Sequence, residues 1–438
     1  MILVGAAVLV AGFTSAFRLK FIGDLPIDEI LFLPLLPILI FVQGRQMIRP
    51  AMRPLLLLLG VWLVGQIVTD IYRRTAFYDW ARGDANIIFF GIDLLVLVAL
   101  LCGSESRKVI FLVGYSIGHL LALKLQPMKG SGTWKAGAGP AVTIMVILFC
   151  CYLFRRRSNA IALLFLLSIV AINLFENCRS VVLFLLITIA LTVPMIPERV
   201  GRLRLLPGQG TSGRIVVLSL LALGAAGAAL GVVSLATKSG LMNQEQQKKN
   251  EEQGRSRGGL LIGGRPEFLV SSRAVIDSPI LGHGSKAKDP KYIEMLADLE
   301  ERYGISELSP DDIEQRSKGT IPSHSFLLGT WVSAGVLGAI FWIYLLWPAA
   351  KALLRMPLLK RALAPLYAYV LVSLLWNIFF TPFAYLARVL GAFAIVIMVD
   401  VLEARLPVMA TKPSRRARRV RKRAVSWRPA DYNPGLSS

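Results

Sequence analysis

Charge is scarce in this chain, and histidine and cysteine are scarcer. Only 17% of its 438 residues are charged, 55% are hydrophobic, and the mean hydropathy is +0.60. A soluble domain carries roughly a quarter charged residues, so this balance excludes one. The four cysteines, Cys102, Cys150, Cys151 and Cys178, fall in or beside apolar runs, and the long hydrophilic stretch 238–325 holds none. Neither a disulfide framework nor a zinc site follows from that placement. The strict apolar–polar alternation of an outer-membrane barrel is missing, and no repeat of fixed period is visible.

What is present is one apolar run after another: 2–17, 28–43, 54–71, 86–102, 108–125, 139–154, 159–175, 180–196, 214–236, 325–347, 363–381 and 384–402. At about 1.5 Å per residue these runs extend about 24 to 35 Å, against a hydrocarbon core of about 30 Å. Backbone groups cannot stay unpaired in lipid, so such runs must be helices. The expected fold is an all-α polytopic membrane protein of about twelve transmembrane helices, with one long loop of short helices between spans nine and ten. The expected divisions are an N-terminal bundle over 1–236, a loop domain over 237–325, C-terminal spans over 326–402 and a basic tail over 403–438.

The formal net charge of +22 would suggest nucleic acid in a soluble chain, but it sits mostly in alternate loops. With the N-terminus inside, the inner segments hold Arg45, Arg49 and Arg53, then Arg107 and Lys108, Arg155 to Arg157, Arg199 to Arg214, and Lys351 to Arg361. That is the positive-inside pattern, with both termini cytoplasmic and the long loop outside. Only the first span argues back, because Arg18 and Lys20 follow it. Thr14-Ser15-Ala16 would suit a cleaved signal sequence, yet no basic residue precedes the run. The tail Arg415 to Arg423 reads as an anchor for anionic lipid rather than for nucleic acid.

Within the loop, Gly263-Gly264 lead to Pro266 and Glu267, which suit the first turn of a helix running to about Asp277, stopped by Pro279. A second helix is expected after Pro290, with Tyr292, Ile293, Leu296, Leu299 and Tyr303 on one face, lying over the bundle as a lid. A third short helix begins at Ser309-Pro310-Asp311-Asp312. The chain re-enters the membrane after Pro322, which puts His324 at the water–lipid boundary.

Three residues carry the chemistry expected here. Arg179 opens a span on the outer side, where arginine is disfavoured; its plain reading is a snorkelling helix-end residue. Arg265 stands before a proline-started helix, with Arg273 eight residues on, and forms an anion cradle unless it is a solvated loop charge. His324 lies between serines at a helix entry; a lone histidine is more often structural. Together they put two guanidiniums and a base that titrates near neutral pH on one side of the membrane, a set suited to a diphosphate at the surface. Arg73, Arg74, Arg82, Lys129 and Lys135 add outer charge, and Arg388 is a further candidate for substrate. Asp93, His119 and Arg388 within spans would otherwise mark an ion path or buried structural pairs. His283 sits between glycines. Gly208-Gln209-Gly210-Thr211-Ser212-Gly213 matches G-x-G-x-x-G, but no strand leads into it and nucleotide binding is discounted. No cofactor or metal is called for.

Arg179 with Leu183, Gly264-Arg265 leading to Pro279-Ile280-Leu281-Gly282-His283-Gly284, and Ser323-His324-Ser325 followed by Gly335 and Gly338 resemble the O-antigen ligase and Wzy-type polymerase superfamily. The resemblance covers Asn173 to Val401 and rests on the order of short motifs around one long outer loop. It implies a bacterial inner-membrane glycosyltransferase, with the loop periplasmic, that uses a glycan on undecaprenyl diphosphate as donor. His324 would then be the base, and Arg179 and Arg265 would stabilise the departing lipid diphosphate. The acceptor would be another lipid-linked repeat unit in a polymerase of O-antigen or exopolysaccharide, with a chain-length regulator as a further partner, or lipid A core in a ligase. Ser325 in place of the family's frequent asparagine favours the polymerase. A lipid-linked oligosaccharide flippase or other transporter is the reading from another class.

Overall fold

Apolar runs of this length satisfy their own backbone by coiling, and they do so in the computed structural model of the chain. It describes residues 2–20, 24–125, 133–176, 178–192, 265–303, 319–356 and 362–404, with the glycines at 224, 227 and 231. The first eight helices are α1 (Ile2–Thr14), α2 (Ile27–Met47), α3 (Arg53–Arg73), α4 (Phe77–Leu101), α5 (Glu105–Leu125), α6 (Gly139–Arg155), α7 (Asn159–Phe175) and α8 (Arg179–Thr192). Two short strands, β1 (Arg18–Lys20) and β2 (Asp24–Pro26), pair antiparallel between α1 and α2, and a π-helical turn, Thr133–Ala138, precedes α6. After the long loop come α9 (Pro266–Asp277), α10 (Pro290–Tyr303), α11 (Phe326–Arg355), α12 (Ala364–Phe380) and α13 (Tyr385–Glu403). The expected ninth span, the third loop helix, the G-x-G-x-x-G segment, Lys129 and the basic tail lie outside the described residues, apart from the three glycines.

Among the described residues five helices, α2, α3, α4, α5 and α11, are long and apolar enough to cross a membrane; α1, α6, α7, α8 and α12 are apolar and shorter. Two boundaries differ clearly from expectation: helix α11 runs on to Arg355 rather than ending near residue 347, and the start of α4 differs as well. Helix α4 begins at Phe77 rather than near residue 86. Its first turns carry Asp79, Arg82 and Asp84, which hide the helix from a hydropathy window. Asp79 nevertheless favours it, since an acid near a helix N-terminus complements the dipole.

Helices α1 and α5 run parallel, with Leu9 against Gly114 and Phe13 against Gly118. Gly114 and Gly118 lie one turn apart, and a Cβ on either would collide with a carbonyl oxygen of α1. Small residues at this spacing let membrane helices approach backbone to backbone. Helices α3 and α11 pack as closely through Gly65, where a Cβ would meet Leu337 Cβ at 2.5 Å. Beside that contact Trp62, Phe90, Phe326, Phe341, Trp342 and Phe383 interlock, with neighbouring ring centroids such as Phe326–Trp342 4.8 Å apart. The described residues up to Ala404 pack as one unit.

Polar contacts sort the loops into two ends. At one end Lys108 of α5 bonds Asp400 of α13 at 3.0 Å, with Gly103 N–H donating to the same carboxylate. Arg49 pairs with Glu403 at 3.4 Å, and Arg355 donates to the carbonyls of Leu402 and Ala404. At the other end the segment Ser278–Ser285 is pressed between α3 and α11. Helix α11 breaks at Gly335, whose φ of 66° and ψ of -158° suit only glycine. The break lets Val336 N–H reach Ile280 O at 3.2 Å. His283 N–H donates to Val332 O at 2.6 Å and Gly284 N–H to Ser333 O at 3.1 Å. On the α3 side Asp70 accepts from Ser285 N–H and Oγ–H, each at 2.6 Å, and from Gln66 at 2.9 Å. The segment is thus tied to two helices with its backbone groups paired to protein.

Candidate functional site: a cationic cluster over the end of helix α12

The last carbonyls of any helix lack intrahelical donors. Those of α12 are met by the two segments expected to carry chemistry. Arg265, the N-cap residue of α9, donates from Nη1 to Phe380 O, and its guanidinium lies 5.9 Å from the Trp376 ring centroid and 5.6 Å from that of Phe380. Ser325, the N-cap residue of α11, donates from Oγ to Ile378 O at 2.8 Å while accepting from Leu328 N–H at 3.0 Å. Arg265 and His324 therefore stand over the same end of α12, although α9, α10 and the rest of the loop separate them in sequence. Glu267 lies between them, with Oε1 3.8 Å from His324 Nδ1. That ring nitrogen is buried and has no hydrogen-bond partner among the described residues. Burial pushes the Arg265 pKa down from its ordinary value, and the Glu267 carboxylate opposes that shift. A guanidinium still keeps its charge in such a setting, and one of its five N–H donors serves Phe380.

Arg179 reaches the same end from another helix. Cys151, near the end of α6, lies against the Leu366 backbone near the start of α12, and Asn173, near the end of α7, bonds Thr143 near the start of α6. Helix α8 therefore begins at the end of the bundle where α12 stops, and the two pack antiparallel. Phe184 of α8 meets Trp376 at 5.7 Å between ring centroids, so Trp376 has Phe184 on one side and the Arg265 guanidinium on another. Arg179, the first residue of α8, lies about 7.5 Å along the helix from Phe184 toward the α12 terminus. It is half-buried. The approach to α8 is held by Asn173, which is buried and bonds Trp134, Thr143 and the Ile169 carbonyl.

Of the other arginines expected at the substrate, Arg73, Arg82, Arg273 and Arg388 have side-chain partners in the protein. Arg73 makes three hydrogen bonds to Gly282 O and Ser278 Oγ, at 2.7 to 3.0 Å, and so holds the docked loop. Arg74 is the exposed left-handed C-cap of α3, and Arg82 stacks on Tyr78. Arg273 is exposed and pairs with Asp277 at 3.0 Å, one turn along α9. Arg388 is buried, paired with Glu29 at 2.5 Å and bonded to Asn86. Asp28 and Asp93, fully buried near that pair, have carboxylate oxygens without hydrogen-bond partners among the described residues. His119 is buried against Tyr115, and His283 joins α9 to α11 through Ala274 O and meets Tyr292 edge to face, with ring centroids 5.5 Å apart. Lys135 is exposed in the π turn.

Sequence reasoning did not single out Glu267 as more than a first-turn acid, nor the Trp376–Phe380 platform. An aromatic pair at i and i+4 at the end of an apolar run was the available signal, since those positions share a helix face.

These features define an all-α membrane protein that carries a cationic cluster where its long loop rejoins the bundle. No protein-family model, curated protein or solved structure matches the chain.

Proposed function

We propose that the chain is a membrane glycosyltransferase that takes a glycan from undecaprenyl diphosphate and joins it to an acceptor hydroxyl, polymerising O-antigen or exopolysaccharide repeat units. The observation that carries this reading is the meeting of Arg265, Glu267 and His324 on the C-terminal turns of α12, with Arg179 at the same end of the neighbouring helix. The reading includes about twelve spans in a bacterial inner membrane, with the 237–325 segment in the periplasm and both termini in the cytoplasm.

In the reaction His324 accepts the proton of the acceptor hydroxyl as its oxygen attacks the anomeric carbon. The bond from that carbon to the diphosphate breaks, and the electron pair leaves with the phosphate. Arg265 and Arg179 offset the charge that develops there, and a guanidinium does so with paired N–H donors that match phosphate oxygens. A boundary position suits the substrate, whose lipid lies in the bilayer while its glycan lies in water. No step needs a nucleotide sugar or a cofactor.

The test is purified full-length protein in lipid, given the undecaprenyl-diphosphate-linked repeat unit of its host, with glycan size and released lipid diphosphate followed together. A ladder with diphosphate release is expected, and His324→Ala should abolish it with the protein still folded in the membrane. Turnover only after lipid A core is added would replace polymerase by ligase. Silence with both acceptors would turn the reading toward transport.

A further inference from the structure

His324 offers two nitrogens, and a base needs one of them free while the other is held. Geometry tells the two apart. Nδ1 faces Glu267 Oε1 at 3.8 Å, is buried, and has no hydrogen-bond partner among the described residues. Both side chains are largely enclosed, 13% exposed for Glu267 and 26% for His324, so water screens their interaction weakly. Glu267 follows Pro266 at the start of α9, where a carboxylate complements the helix dipole and the backbone is preset by proline. Its own carbonyl accepts from Ser271 Oγ at 2.7 Å.

We propose that Glu267 is the positioning residue for His324: it accepts a hydrogen bond from Nδ1–H, leaves Nε2 as the base, and offsets the charge of the imidazolium formed during transfer. This rests on the glycosyl-transfer reading. The 3.8 Å between Nδ1 and Oε1 is longer than a hydrogen bond, and catalytic hydrogen bonds are commonly longer before substrate binds. The electrostatic need is specific to this site. A proton arriving on His324 adds a positive charge to an end of the bundle that already holds Arg265 and Arg179, and Glu267 supplies the negative charge beside it. The acceptor proton goes to Nε2, the new C–O bond forms, the C–O bond to the diphosphate breaks with its pair on phosphate, and the imidazolium returns its proton to water.

Two measurements on the full-length protein in lipid test this. The first compares turnover of wild type, Glu267→Gln and Glu267→Asp over pH. Glu267→Gln should lower kcat by roughly 10²-fold with little change in KM, and should move the acid limb of the rate profile to lower pH. Glu267→Asp should recover part of kcat. Wild-type kcat and an unmoved limb in Glu267→Gln, with turnover intact, would overturn the proposal and leave glycosyl transfer standing. The second needs no activity: carbethoxylation of His324, mapped by peptide mass, requires the neutral ring and should begin at lower pH in Glu267→Gln than in wild type. Identical curves overturn the proposal whatever the turnover. A shifted curve in a wild type that transfers nothing supports the Glu267–His324 pair and sinks the reaction instead.

Discussion

Lys108 is a charge with no exposed surface, and its ammonium is balanced by Asp400 at 3.0 Å. Removing one partner of such a pair leaves the other buried and uncompensated, at a cost of about 3–5 kcal/mol. Lys108→Ala is therefore expected to lower the thermal unfolding midpoint markedly. The double substitution Lys108→Met with Asp400→Leu should recover most of the loss, and failure to do so would assign the effect to packing. In the candidate site Arg265→Lys keeps the charge but loses the planar fork; turnover should fall by roughly 10²-fold because ammonium and guanidinium are not equivalent toward phosphate. Arg179, Arg265 and His324 stood out in the sequence as single residues because each is a charge or histidine beside an apolar run or a proline-started helix. Glu267 did not, because an acid in a first helical turn is what the helix would have anyway.

Among the helices, the break in α11 makes the sharpest prediction. A side chain at Gly335 would both adopt a strained φ and drive its Cβ into Ile280 O. Gly335→Ala should release the 278–285 segment while leaving the Lys108–Asp400 clamp closed. Hydrogen exchange read by peptide should rise at residues 278–285 and stay low near Lys108, whereas a uniform rise would mean global destabilisation. Helices α9 and α10 are held together by an apolar contact of Val270, Ala274, Tyr292 and Leu296, and by Asp277, which accepts from Lys291 at 2.6 Å and from Tyr292 at 2.8 Å. Those hydrogen bonds lower the Asp277 pKa from 3.8 to about 2. A carboxylate with a lowered folded pKa adds stability that is fully present above the unfolded pKa and is lost as pH falls through the folded one. Exchange protection of the α9–α10 pair should accordingly weaken between about pH 4 and pH 2, and Asp277→Asn should remove that dependence. Both helices were readable from their proline starts, and the starts match at Pro266 and Pro290. The break at Gly335 was not, since a glycine within an apolar run is ordinary in membrane helices.

Taken as one bundle, the protein sorts its loops between two ends, and this leads to a direct test of sidedness. Lys288, on the docked loop, and Lys351, near the far end of α11, are both exposed, and all four native cysteines are buried. In intact cells Lys288→Cys should react with an impermeant maleimide and Lys351→Cys only after permeabilisation; the reverse pattern would invert the topology. Hydropathy was enough to set the helical class and the approximate places of most described helices of the bundle, because hydrocarbon leaves an apolar backbone no other way to pair. The basic residues give an expected alternation of loops, because they follow the sidedness of insertion, and the maleimide experiment tests it. Packing was needed before Arg265 and Ser325 could be seen to cap α12, Glu267 to face His324, and Arg73, Arg273 and Arg388 to turn to protein partners. Those outcomes depend on which helix ends meet, and the spacing of residues along one chain does not encode the distance between two of its ends.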